Sequence, residues 1–301
     1  MPSLGVARVS RLVIGMVLIA LGVIQPSWVE VNAAGESWYN DSWQLRKSIT
    51  IDATKVSNGP HTDFPVLINL TSDASLAANA QADGDDILFT SSDGATKLSH
   101  EIEKYTSATG ELVAWVKVPS LSSASNTVLY MYYKNSAAAS QQDATNVWDT
   151  NYKAVWHFKE TSGTTLNDST SNTNIGTATN GAALNQTGQI NGAVAFDGTN
   201  DFVSVADANS LDIISQLTIS LWLRANTFPA STAYDNVLIK GNSTAQNYYL
   251  ETFNNAGTNR IAFGFVNSGG TFQELIGITT ALSTSTWYHV VATFIDNGTT
   301  N

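Results

Sequence analysis

Apolar and polar residues alternate along most of the chain, and this alternation predicts β-strands. In LTISLWLR, residues 217–224, a leucine or isoleucine occupies every second position, and the positions between are mostly polar. Because successive side chains of a strand point to opposite faces, we expect one buried face and one partly solvated face. The 3.6-residue periodicity of helices is scarce. The pattern therefore predicts an all-β fold.

Similar runs recur between turn clusters rich in Gly, Asn, Asp and Ser. The predicted strands are 46–52, 64–70, 87–90, 112–118, 127–133, 154–158, 193–196, 202–205, 217–224, 236–240, 248–253, 261–266 and 287–295. Many short strands of this kind favour sandwiches, in which two sheets hide their apolar faces against each other. Residues 161–189, rich in Ser, Thr, Asn and Gly, predict a long connecting loop.

The alternation breaks at AAASQQDATN, residues 137–146, which predicts a short helix or a linker. We therefore expect two β-sandwich domains, residues 37–136 and 152–301, joined by a linker at 137–151. The last strand runs into Asp296-Asn297-Gly298, a strong hairpin signal, and no return strand follows in the sequence. On this basis we expect the second domain to be incomplete and the chain to be a piece of a longer protein.

The first residues have the layout of a signal peptide. Arg8 and Arg11 precede an uncharged apolar run, residues 12–24, and a more polar stretch then ends in small residues. The run covers 13 residues, whereas a membrane-spanning helix needs about 20. We expect cleavage after Ala33 or Ala34, which removes residues 1–34 and gives a secreted or surface-displayed protein. Without cleavage, or with an anchor beyond Asn301, the protein would be membrane-bound.

Composition narrows the class of partner. The formal net charge is −11, and loss of residues 1–34, with two arginines and one glutamate, changes it to −12. An acidic surface repels phosphate backbones, so we expect no nucleic-acid partner. The chain has no cysteine, which excludes disulfides and thiol chemistry and leaves burial as the source of stability.

Ordered motifs in residues 37–135 resemble those of a bacterial and archaeal family. In chain order they are Trp43-x-x-Arg46, Asp63-Phe64-Pro65-Val66, Asp83-Gly84-Asp85-Asp86-Ile87-x-Phe89, Asp93-Gly94, Glu101-Ile102-Glu103, Ala114-Trp115-Val116 and Tyr130-x-Tyr132-Tyr133-Lys134-Asn135. This set resembles the domain of unknown function DUF2341, a family with no established activity to carry over.

A second set of motifs begins near Tyr152. It comprises Ala154-Val155-Trp156-His157-Phe158, Asp168-Ser169-Thr170, Gly192-Ala193-x-x-Phe196-Asp197-Gly198-Thr199-Asn200-Asp201-Phe202-Val203, Thr218-Ile219-Ser220-x-Trp222 and Trp287-Tyr288-His289-Val290-x-Ala292. These residues resemble the laminin-G-like, concanavalin A-like jelly-roll family. The resemblance implies a binding or adhesive module, often for glycans and in some cases dependent on calcium, and it implies no enzyme activity.

The turn at residues 197–201 is the candidate metal site. Asp197, Asn200 and Asp201 place three side-chain oxygens within five positions, and calcium takes about six to eight oxygen ligands. Their spacing is not that of a known calcium loop. The alternative is a Gly-centred turn in which Asx side chains cap their own backbone.

Candidates for catalysis are few. Glycosidases flank the sugar bond with two carboxylates, and only Glu101 and Glu103 combine short spacing with a shared strand face. We interpret this pair as the solvated side of a strand. His157 and His289 lie in aromatic strands, where hydrogen-bonded core or interface imidazoles are expected. The sequence has no HExxH, GxSxG or phosphate-loop motif, so we predict that the chain is not an enzyme.

Aromatic rings are the better candidates for a glycan site, because flat rings meet the apolar face of a sugar while nearby polar groups bind its hydroxyls. The candidates are Trp222, Tyr234, Tyr248 and Tyr249. Adjacent tyrosines on a strand point to opposite faces, so at most one is core and the other is available. The alternative is that both pack against sheets or loops.

Together these features favour a non-catalytic secreted or cell-surface module that binds glycans or mediates adhesion. Two alternatives stay open. The chain could be an accessory region of a secreted carbohydrate-active enzyme whose catalytic part lies elsewhere, or a structural spacer that displays other domains.

Overall fold

The computed structural model describes residues 4–6, 11–14, 24–31, 37–242, 245–266, 272–277 and 280–295. The chain divides into two compact units, which we call the first unit, Val17–Asp149, and the second unit, Met1–Met16 with Thr150–Asn301. All strand pairs in both units are antiparallel across the described residues. The predicted all-β class is confirmed.

The strands are short and numerous. In chain order they are β1 Leu4–Val6, β2 Arg11–Ile14, β3 Ile24–Val31, β4 Leu45–Ile51, β5 His61–Leu70, β6 Leu88–Thr90, β7 Lys97–Leu98, β8 His100–Thr106, β9 Glu111–Leu121, β10 Thr127–Tyr133, β11 Val155–Trp156, β12 Thr165–Leu166, β13 Gly176–Thr179, β14 Ala183–Thr187, β15 Gly192–Ala195, β16 Phe202–Val205, β17 Gln216–Leu223, β18 Tyr234–Asn242, β19 Ala245–Asn255, β20 Thr258–Val266, β21 Phe272–Ile276 and β22 Tyr288–Ile295. The helices are α1 Ala74–Asn79 and α2 Ala144–Val147, with 3₁₀ turns at Ala53–Lys55 and Asn209–Leu211. No helix within the described ranges has the length and apolarity to cross a membrane.

The first unit is a sandwich of two sheets, ordered β3-β4-β10-β6-β7 and β5-β9-β8. Alternate residues of β10 reach its core, since Leu129, Met131 and Tyr133 are buried there. A buried ion pair joins Lys47 to Asp73. Asp73 also caps α1, because its Oδ1 accepts hydrogen bonds from the backbone amides of the first helical turn. The ion pair thus ties the helix to the sheet.

The outer face of the five-stranded sheet carries an aromatic cluster around Arg46. The Arg46 guanidinium lies 4.6 Å from the ring centre of Trp38 and 4.1 Å from that of Tyr130. Arg46 is itself buried, and its Nη1 donates to the carbonyl of Ser37 at 2.7 Å. Cation–π contacts of this kind gain strength when the cation is desolvated. They fasten residues 37–44 across the sheet.

The segment that precedes residue 150 is folded into the first unit. Gln142 Oε1 accepts from the amide of Ile102 at 2.7 Å, and the amide of Asp143 donates to the carbonyl of His100 at 2.9 Å. The ring of Trp148 lies 5.3 Å from that of Trp115. Residues 137–149 of the expected linker are therefore part of the packed unit.

The second unit combines an eight-stranded sheet, β12-β13-β16-β1-β18-β19-β20-β21, with a four-stranded sheet, β11-β2-β17-β22, and the hairpin β14-β15. Its core takes the alternate apolar residues of β17, namely Leu217, Ile219, Leu221 and Leu223. Leu238 and Leu250 enter the same core from the larger sheet. The two-sheet sandwich expected from the alternation is therefore present.

The expectation of a long loop over residues 161–189 is wrong, because this region contributes β12, β13 and β14. These strands lack strong apolar alternation and are identified by the strands they pair with; for example, Thr177 of β13 pairs with Ser204 of β16. Asp168 organises the turn between β12 and β13, since its carboxylate accepts hydrogen bonds from the amides of Val155, Thr170 and Asn174 at 2.8–2.9 Å.

Residues 1–34, expected to leave as a signal peptide, contribute three strands in the uncut chain. β3 pairs with β4 at one edge of the first unit's larger sheet. β1 and β2 occupy interior positions in the two sheets of the second unit.

Candidate functional site

The second unit contains a cleft of about 480 Å³. It opens between the hairpin β14-β15, the residues that follow β17, and the start of β18. Its lining offers an indole, an arginine, two carboxylates and three amides, from Trp287, Arg224, Asp197, Asp235, Gln186, Asn226 and Asn236. Ring-and-amide sets of this kind suit a polar ligand that also has an apolar face.

Asp197 enters the cleft from the turn that the sequence singled out for calcium. The amide of Asp197 donates to Asp201 Oδ2 at 3.0 Å, and the amide of Thr199 donates to Asp197 Oδ1 at 2.7 Å. These bonds are those of an Asx turn that closes on its own backbone. Gly198 has a φ of 84°, which only glycine adopts without strain.

The metal prediction for this turn stays a prediction. Asp197 and Asn200 are exposed and Asp201 is half-buried. Asp201 Oδ1 is buried and accepts no hydrogen bond from any residue in the described ranges. Within those same ranges, no cluster of three or more His, Cys, Asp or Glu side chains has the geometry of a metal site. Calcium at this turn would need ligands from backbone carbonyls and water as well.

The expectation that one of the adjacent tyrosines is available to a ligand is wrong, since both are buried. Tyr248 lies in the core and donates from its hydroxyl to the carbonyl of Leu211 at 3.1 Å. Tyr249 points to the opposite face, as alternation requires, but it packs against Gly264 of the neighbouring strand. A Cβ added at Gly264 would come within 2.1 Å of the Tyr249 ring, so the glycine provides the space that buries the tyrosine.

The other two predicted rings lie outside the cleft lining. Trp222 is half-buried, and its ring centre is 5.2 Å from that of His289. His289 Nε2 is hydrogen-bonded to Ser220 Oγ at 2.9 Å, as expected for a histidine in an aromatic strand. Tyr234 is 42% exposed and stacks on Phe253 with 4.3 Å between ring centres. Of the four predicted rings, Tyr234 is the most exposed to solvent.

The face of the larger sheet that carries Tyr249 is acidic. The Tyr249 hydroxyl donates to Glu274 Oε1 at 2.6 Å, across the strand that contains Gly264. Burial, together with the negative charges of Glu274 and Asp235, raises the pKa of Glu251 to about 7. At neutral pH the Glu251 carboxyl is therefore close to half protonated.

In the first unit, Glu101 and Glu103 are buried, so our interpretation of them as a solvated strand face is wrong. Glu103 Oε2 accepts from the indole N–H of Trp115 at 2.8 Å, and Glu101 Oε2 accepts from that of Trp148 at 3.2 Å. A register shift between Ile102 and Lys104 interrupts the pairing of β8 with β9. This bulge explains why simple alternation misplaced the pair.

The sequence missed Trp287, Arg224, Asn226, Asp235 and Asn236 as cleft residues. Trp287 was noticed only as part of a family motif, and Asp235 lies beside the predicted Tyr234. Asp197 was identified from its turn. The missed residues all lie at or near strand ends. Whether such a residue lines a cleft depends on the three-dimensional arrangement of the strands and not on the local sequence pattern.

The second unit is built of antiparallel sheets with a cleft lined by strand ends and turns. Residues 197–301 match the family model of the concanavalin A-like lectin/glucanases superfamily. Residues 83–175 match that of the domain of unknown function DUF2341. The two resemblances and their order along the chain are confirmed. No curated protein and no solved structure matches the chain.

Proposed function

We propose that this chain is an exported, non-catalytic module whose second unit binds glycans in the cleft beside Trp287. The match to a lectin-like family supports a carbohydrate-binding or adhesive role. The observation that carries the finer proposal is the convergence of an indole, carboxylates and amides on one cleft. The signal-like N-terminus supports export to the cell surface or the medium.

The chemistry of the lining matches a sugar. The Trp287 ring would cover the apolar face of a pyranose. The carboxylates of Asp197 and Asp235 would accept hydrogen bonds from its hydroxyls, and the amide of Asn236 could accept or donate them. The acidic charge of the chain favours neutral or amino sugars over sulfated or phosphorylated ones. A calcium ion held at the Asp197 turn would coordinate vicinal hydroxyls of the sugar directly. This calcium ion is part of the proposal.

A glycan array probed with the protein, with and without calcium, tests this function. We expect binding to a defined subset of glycans, weakened at least tenfold by Trp287→Ala. Tyr234→Ala is the matched control, because its ring is exposed but lies outside the cleft lining. Loss of binding in both variants, or in neither, would contradict the assignment of the cleft. If no glycan on the array bound, the alternative of a structural spacer would be favoured. If a bound glycan were hydrolysed, the protein would be an enzyme.

A further inference from the structure

The buried ion pair of the first unit lies on the core side of its larger sheet. Lys47 follows Leu45 and precedes Ile49 on one face of β4, and both of these neighbours belong to the core cluster. The residue opposite Lys47 on β10, Met131, is fully buried. The side chains of Lys47 and Asp73 are only 10% and 6% exposed. An interior position of this kind favours neutral groups over charged ones, because charges lose their hydration there.

The carboxyl group of Asp73 is held in a fixed position against the lysine nitrogen. The Asp73 amide donates to the carbonyl of Thr109 at 2.9 Å, which fixes the backbone at this residue. Oδ1 of Asp73 accepts hydrogen bonds from the amides of Ser75 and Leu76, both at 2.9 Å. Oδ2 contacts Lys47 Nζ. One carboxyl oxygen is thus bound by two backbone donors, while the other contacts an amine.

This arrangement has the parts of an acyl-transfer site. When an amine attacks a carboxyl carbon, a tetrahedral intermediate forms, and preorganised hydrogen-bond donors stabilise its oxyanion. The amides of Ser75 and Leu76 are two such donors at Oδ1. Well-oriented groups held in contact react with effective concentrations of roughly 10⁵–10⁸ M. The product is a neutral amide, so the reaction also removes both charges from the interior.

We propose that Lys47 and Asp73 form an intramolecular amide bond after the first unit has folded. One proton passes from the ammonium to Oδ2, and the neutral amine attacks Cγ. The Nζ–Cγ bond forms, a second proton passes from nitrogen to Oδ2, and the Cγ–Oδ2 bond breaks with release of water. The reaction needs no oxidant and no further reactant. It joins β4 covalently to the residue that caps α1, in a chain without cysteine.

Mass spectrometry of the folded full chain tests this bond. A glutamate-specific protease releases residues 37–101, which contain both partners. We expect this peptide to be lighter than its sequence by one water molecule. After trypsin cuts behind Lys55, residues 47–55 and 56–97 should stay joined, and fragmentation should place the branch at Lys47 and Asp73. A cyclic imide at Asp73 also loses one water, but it would leave the two parts separate.

Three controls separate the bond from a simple ion pair. Lys47→Arg keeps a cation beside Asp73, but the guanidinium stays protonated and does not attack, so its peptide should keep the full mass. Lys240 and Asp207 also form an ion pair, in which Asp207 is 29% exposed, and the peptide of residues 161–251 that contains them should keep its full mass. Wild-type chain held in urea from its synthesis onward should stay linear, because the bond requires the folded site.

The proposal is overturned if residues 37–101 of the folded wild type have the full mass of their sequence. It is also overturned if trypsin separates the two parts, or if Lys47→Arg loses the same water. Because the bond lies in the first unit and the glycan cleft in the second, any of these results would leave the proposed glycan binding untouched.

Discussion

The half-buried carboxyl of Glu251 gives the sharpest prediction about the second unit. Its pKa is raised from 4.5 to about 7, first by burial and then by Glu274 and Asp235. The folded state therefore holds a proton that the unfolded state releases between pH 4.5 and 7, and the free energy of unfolding falls as the pH rises through this window. The full shift corresponds to about 3 kcal/mol. Solvent screening of a partly exposed group reduces our expectation to about 2 kcal/mol.

Two measurements on the full chain check this reasoning. The side-chain carboxyl carbon of Glu251, assigned by its loss in Glu251→Gln, should titrate near pH 7 in ¹³C NMR. Glu274→Gln should move that midpoint downward, because it removes a neighbouring negative charge. Urea unfolding of the second unit should weaken from pH 5 to pH 8 in the wild type by about 2 kcal/mol and much less in Glu251→Gln. A carboxyl that titrates near 4.5, with equal pH dependence in both proteins, would refute the argument.

Three further substitutions have defined outcomes. Gly264→Val should destabilise the second unit by about 2 kcal/mol in urea unfolding, since its Cβ would meet the Tyr249 ring; a Tyr249→Ala background should recover much of the loss. Trp115→Phe should cost about 1–3 kcal/mol by removing an indole donor from Glu103, and an unchanged midpoint would show that bond to be dispensable. Lys47→Met should lower the free energy of unfolding of the first unit by about 3–5 kcal/mol, because it leaves the buried carboxylate of Asp73 without its counter-charge. An unchanged free energy of unfolding would contradict the burial of this ion pair.

The strands with clear alternation were predictable, and those defined by their partners were not. β10 and β16 have the predicted bounds, 127–133 and 202–205. β13 and β14 consist mainly of small and polar residues, so pairing with neighbouring strands identifies them. β1 and β2 escaped prediction for a different reason, because residues 1–34 were interpreted as a signal peptide.

The candidate site shows the same division. Asp197 could be identified locally, since a turn is specified by its own residues. The two tyrosines were correctly assigned to opposite faces, yet a glycine on the next strand decides that Tyr249 is covered. Trp287 and Arg224 line the same cleft because β17 ends, and β22 begins, at the same edge of their sheet. Contacts of that kind depend on register, which the local pattern does not contain.

The place of Trp148 bears on how the chain can be divided. An interruption in hydrophobic alternation suggests a boundary near residue 136, but a first domain cut there would lose α2 and the indole that hydrogen-bonds to Glu101. The same cut would remove the indole ring that packs at a tilted angle against Trp115. A version of the first unit intended for separate crystallisation or binding studies should therefore end after Asp149. We expect a version that ends near residue 136 to be less soluble, because it lacks the Trp148 indole.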